Sequence, residues 1–128
     1  MRKQVISCLT ILAVAGSLGV VAQTGLILRA DVPFSFMAGG KTLPAGEYTF
    51  QPSNQERDMI VRNVKGGEAV FVPVLTRLGQ RAGNDTEVVF DVAANEHYLA
   101  EIHVPTVDGF AFSAASGKHT HVGVKAKR

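Results

Sequence analysis

Strict two-residue alternation is the feature that most narrows what this chain can fold into. Val32, Phe34 and Phe36 fall on one side of an extended backbone, with Asp31, Pro33 and Ser35 on the other. Tyr48 and Phe50 alternate with Glu47, Thr49 and Gln51, and Val88, Phe90 and Val92 with Glu87 and Asp91. Tyr98, Ala100, Ile102 and Val104 oppose His97, Leu99, Glu101 and His103. Successive side chains of a strand point to opposite faces, so each segment reads as a strand with one dry and one mostly wet face. On that reading Tyr48 and Tyr98 are both core residues. No stretch of a dozen residues keeps a helical period. Turn-forming clusters punctuate the runs, among them Gly39-Gly40-Lys41, Lys65-Gly66-Gly67, Gly83-Asn84-Asp85 and Asp108-Gly109. Short strands at this spacing predict an all-β fold, a single small antiparallel sandwich or barrel.

Two segments refine the picture. Ala69 to Leu75 is apolar on both faces, which suits a more central strand, yet Pro73 cannot donate to a ladder and needs an edge, a bulge or a strand end. A bend at Pro73, carrying the chain from one sheet to another, reconciles the two. Leu43-Pro44-Ala45-Gly46 reads as a type I turn that delivers Tyr48 and Phe50 to the core together. Its single carboxylate, Glu47, alternates outward, so this stretch is scaffold.

The start of the chain has a different character. Met1-Arg2-Lys3 is a basic n-region, Val5 to Val21 is apolar or small, and Val20-Val21-Ala22 suits a signal peptidase. Residues 1–22 are therefore expected to be a cleaved signal peptide, with residues 23–128 forming one domain. The protein is expected to be exported, periplasmic or extracellular, with no transmembrane anchor after cleavage. Cys8 is the only cysteine and lies inside the leader, so the mature domain is cysteine-free. Neither a disulfide framework nor thiolate chemistry remains. The thirteen basic residues lose Arg2 and Lys3 with the leader and then match the eleven acidic ones. That balance argues against a nucleic-acid partner, which needs clustered positive charge. Only Lys118, Lys125, Lys127 and Arg128 bunch together, and residues 118–128 read as a loose basic tail.

A resemblance points the same way. Val32-Pro33-Phe34-Ser35-Phe36, then Gly39, then Lys41 to Phe50 resembles the opening of a group of small exported proteins from acidobacteria-like soil bacteria. The Glu101-Ile102 pair, the Asp108-Gly109-Phe110 turn and the closing His119-Thr120-His121 are similar to theirs as well. The resemblance implies export and a β fold, and carries over no catalytic or binding residue.

The histidines are the one chemical signal. His119-Thr120-His121 puts two imidazoles on one strand face about 6.6 Å apart, an offer of two nitrogen ligands to zinc or copper. His103, on the outward face of another strand with His97 and Glu101, is the candidate third ligand. Gly-x-Ser-x-Gly elbows and Gly-rich phosphate loops are missing, and no serine is paired with a base by the sequence. The expected function is thus a non-enzymatic interaction or structural module, without a cofactor, for an unknown protein or cell-envelope component. The alternative is a periplasmic metal-binding protein using the His-x-His strand.

Overall fold

A computed structural model describes residues 25–113, 115 and 117–128; the expected leader, 1–22, and Cys8 within it lie outside the described residues. Ten strands follow one another: β1 (Leu28–Val32), β2 (Phe36–Ala38), β3 (Lys41–Leu43), β4 (Gly46–Pro52), β5 (Asp58–Asn63), β6 (Val70–Leu78), β7 (Glu87–Ala93), β8 (Glu96–His103), β9 (Gly109–Phe112) and β10 (Thr120–Lys127). Eight of them close an antiparallel barrel in the order β8-β7-β10-β1-β4-β5-β6-β9, with β9 pairing back onto β8. The short β2 pairs parallel to β8 through Met37 and Tyr98, and β3 pairs with β2. The all-β expectation holds, and a barrel is the form it takes. Among the described residues no helix is long and apolar enough to cross a membrane.

Alternation fills the barrel. Leu28, Ala30 and Val32 of β1, Tyr48 and Phe50 of β4, Met59 and Val61 of β5, and Val88 and Phe90 of β7 are all buried in one cluster. Phe36 enters the same cluster from β2 and meets the rings of Tyr48 and Phe90 edge-on, at 5.1 and 5.2 Å. Phe34 adds a third edge contact to Phe90 at 5.0 Å. The β2 strand and the segment before it thus add two aromatic rings to the core. Edge-on packing of this kind contributes about 0.5–1.5 kcal/mol per pair beyond burial.

Leu43 to Gly46 connects the β2–β3 pair to the barrel: β3 pairs with β2 and β4 with β1, so no hairpin forms there. The Tyr48 hydroxyl donates to the Pro44 carbonyl at 2.7 Å, which pins the connector to the strand it feeds. The bond gives this stretch a structural role in the fold.

Pro73 sits where β6 changes partner. It is the last residue of β6 paired with β5, opposite Asp58, and from Val74 onward the strand pairs with β9 across an irregularity between Val74 and Thr76. The expected bend is there. The expected burial of both faces is not, because Phe71 and Leu75 point outward and are 57% and 70% exposed.

Strand β8 departs further from simple alternation. Val89 pairs with Glu101 and Phe90 with Leu99, so Ala100 is an extra residue in a bulge. A bulge inverts the facing of everything beyond it. Leu99 and Ile102 therefore both lie in the core, and Tyr98 turns outward, its hydroxyl donating to Glu96 at 2.9 Å at the surface. The reading of Tyr98 as core and Leu99 as wet is corrected by that one residue.

The C-terminus is not a loose tail. Thr120 to Lys125 pair with β7, while Lys127 and Ala126 pair with Arg29 and Ala30 of β1. Residues 120–127 are the strand that closes the barrel between its two halves. Val122 and Val124, on its inner side, are the alternating residues that dock it.

Candidate metal centre

The outer face over β7 and β10 gathers the titratable groups. Registry sets His121 directly opposite Asp91, and Thr120 opposite Val92, so His119 lies one step further on, beside Ala93. Adjacent strands stand about 4.8 Å apart, close enough for side chains on one face to meet across the pair. Asp91, His119 and His121 each offer a ligand atom there, and these three atoms lie within 4.8 Å of one another.

Asp91 is the unusual member. It points to the outer face, as the alternation of β7 requires, yet it is only 6% exposed, flanked by Tyr98 on the β8 side and His121 on the β10 side. Its Oδ1 is fully buried and accepts no hydrogen bond. His121 Nδ1 stands 2.8 Å from that oxygen without aligning an N–H on it, and His119 Nε2 stands 3.7 Å from Oδ2. A buried carboxylate oxygen without a donor costs about 1–3 kcal/mol or more, so this arrangement calls for a partner. Around a metal with bonds of about 2.0–2.1 Å, neighbouring ligand atoms stand about 2.8–3.4 Å apart; the 2.8 Å between His121 Nδ1 and Oδ1 falls in that range, and the 3.7 Å between His119 Nε2 and Oδ2 lies outside it.

The second nitrogen of His119 is already committed. Nδ1 donates to the Gly117 carbonyl at 2.7 Å. That bond fixes the tautomer and leaves the Nε2 lone pair facing Asp91, the outer-shell arrangement that orients a metal-bound imidazole. The two imidazoles stand edge to face, 5.0 Å between centroids. His121 is the more open, with a side chain 60% exposed against 27% for His119. Two imidazoles and a carboxylate suit zinc, copper(II) or another divalent first-row ion.

Of the histidines expected as ligands, His119 and His121 come together and His103 does not join them. His103 belongs to β8, two strands away from β10, opposite Glu87. Its Nε2 lies 2.7 Å from Glu101 Oε1 and 3.1 Å from Arg81 Nη2, and Arg81 also pairs with Glu87 at 2.8 Å. This cluster ties the loop before β7 to the barrel wall, with the arginine as its cation. His97, expected on the outward face, is turned inward by the bulge and stacks on Phe34 at 3.8 Å. Asp91 is the candidate ligand that sequence reasoning misses: alternation gives its outward facing, but only the β7–β10 pairing reveals its neighbours.

No family model, no curated protein and no solved structure matches the chain.

Proposed function

We propose that the protein is an exported β-barrel module that captures a divalent transition metal, zinc or copper, through Asp91, His119 and His121. The observation that carries this reading is the Asp91 carboxylate, whose buried Oδ1 has no hydrogen bond although His121 Nδ1 lies 2.8 Å away, and whose Oδ2 stands 3.7 Å from His119 Nε2. The position of the site supports binding and release over catalysis. It lies on an outer sheet face with His121 largely in solvent, whereas catalytic metals gain from a closed, water-excluded cleft. The apolar, signal-like residues 1–22 support export, and an envelope or extracellular setting follows from it.

Metal analysis and thermal melting of the purified mature domain test the proposal. Zinc or copper at a hundredfold excess over its dissociation constant should stabilise the fold by about 2.7 kcal/mol. The double variant His119→Ala, His121→Ala should lose that shift while its metal-free melting stays close to the parent's. Binding should weaken in acid, because protons compete for the imidazole lone pairs. Absence of any shift with either metal at stoichiometric loading overturns the assignment.

A further inference from the structure

The strand on the other side of β7 brings a fourth donor to the same face. The β7–β8 hairpin turns through Ala94 and Asn95, whose φ values of 51° and 64° are those of a two-residue type I′ turn. Alanine gains nothing from a left-handed backbone, so the turn holds Ala94 at some cost. The hairpin sets Ala93 opposite Glu96, and Asp91 opposite Tyr98. With His121 beyond Asp91, and His119 beyond Ala93, two rows cross three strands: Tyr98, Asp91, His121 and Glu96, Ala93, His119.

The Cα atoms of Glu96 and His119 are thus separated by two strand spacings, roughly 10 Å. The residue between them, Ala93, carries only a methyl group, so no side chain stands in the path. Glu96 is exposed, and among the described residues its carboxylate makes one side-chain contact, accepting from the Tyr98 hydroxyl at 2.9 Å. The carboxylate is therefore held by a neutral donor that is itself the cross-strand neighbour of Asp91.

We infer that Glu96 is the fourth protein ligand of the metal bound by Asp91, His119 and His121, giving a two-histidine, two-carboxylate site for a divalent ion. The inference rests on the metal reading above. Charge supports it: a divalent ion keeps a net positive charge after one carboxylate, and a second neutralises it. Ligand number supports it as well, since Glu96 would bring the protein donors to the four that zinc prefers. Glu96 must leave Tyr98 to reach the ion, so Tyr98 competes with the metal for this side chain.

Zinc affinity of the mature protein, measured by competition with a chromophoric chelator, tests the assignment, alongside the visible spectrum after cobalt(II) substitution. Glu96→Gln should weaken zinc binding at least about tenfold, the lower end of the loss caused by removing even an outer partner of a ligand. Its cobalt spectrum should change in band position and intensity. Tyr98→Phe should bind zinc more tightly than the parent, because the competing hydroxyl is gone. Equal zinc affinity in the parent and Glu96→Gln, with unchanged cobalt bands, overturns the fourth ligand. Asp91→Asn separates the two levels. If it abolishes zinc uptake while Glu96→Gln binds normally, only Glu96 is removed from the site; if the parent takes up no zinc, the three-ligand reading falls and this one with it. Melting of each metal-free variant confirms that the comparison is made on folded protein.

Discussion

Replacing Asp91 by Asn should make the metal-free protein more stable, which is the reverse of what most buried substitutions do. Asp91 is 6% exposed, and its buried Oδ1 receives no hydrogen bond although His121 Nδ1 is 2.8 Å away. Leaving a buried acceptor unpaired costs about 1–3 kcal/mol, more when it is charged. Asparagine has nearly the same shape, removes the charge, and brings an N–H group that can donate to the His121 nitrogen. The expected gain is therefore about 1–3 kcal/mol, or a melting temperature several degrees higher in a domain of about this size. The assay is thermal melting in chelator at about pH 8. Zinc binding should be lost in the same variant. A lower melting temperature for Asp91→Asn at about pH 8 would refute the reasoning, because it would mean that the carboxylate is already satisfied and stores no cost for a metal to relieve.

The bulge at Ala100 predicts opposite outcomes for adjacent residues: Leu99→Ala should cost about 2–5 kcal/mol in chemical denaturation, as for other buried leucines, while Tyr98→Phe in chelator should be nearly silent. A nearly silent Leu99→Ala would mean that the strand keeps simple alternation and that Leu99 faces outward. Tyr98 should also ionise above its ordinary value, because Glu96 accepts its hydroxyl proton and repels the phenolate. A raised value makes the protonated phenol the form favoured by the fold, so this small stabilisation is present below about pH 10 and is lost as pH rises through the folded value. Tyrosinate absorbance reads it clearly, since the chain has two tyrosines and no tryptophan and the other tyrosine, Tyr48, is buried. Glu96→Gln should bring the ionisation back down; no difference between the two proteins would remove Glu96 as the cause.

What can be read from this sequence is what is local. The Pro44 connector and Tyr48 lie four residues apart, and their bond needs nothing from the rest of the chain. The alternation of β1, β4 and the first half of β7 follows from a period of two and places Leu28, Tyr48, Phe50 and Phe90 inside. Pro73 announces a break because a missing N–H is a property of the residue itself. Parity, by contrast, is fragile. One extra residue in β8 moves Leu99 inward and Tyr98 outward, and nothing in Tyr98-Leu99-Ala100-Glu101 announces it. The bulge is visible only against β7, where two residues must share one partner.

The candidate site is legible only in half for a related reason. His119 and His121 share a face because they are two apart on one strand, so their pairing is a local fact. Whether they meet anything depends on where the last strand inserts, and that is a property of barrel closure. A basic C-terminal segment with four cationic residues reads as solvated, yet its alternate valines give it an inner face, and that face seats it between β7 and β1. Once it is seated there, Asp91 ceases to be one of eleven scattered acidic residues. It becomes a buried carboxylate without a donor, roofed by two imidazoles from a segment nearly thirty residues later. The same placement excludes His103, whose strand lies on the far side of β7 and whose nitrogen is already held between Arg81 and Glu101. It brings Glu96 within reach instead, because the hairpin at Ala94 and Asn95 fixes which residue of β8 faces the row of His119. The order of strands around the barrel, more than the identity of any histidine, decides which ligands this protein can bring to one ion.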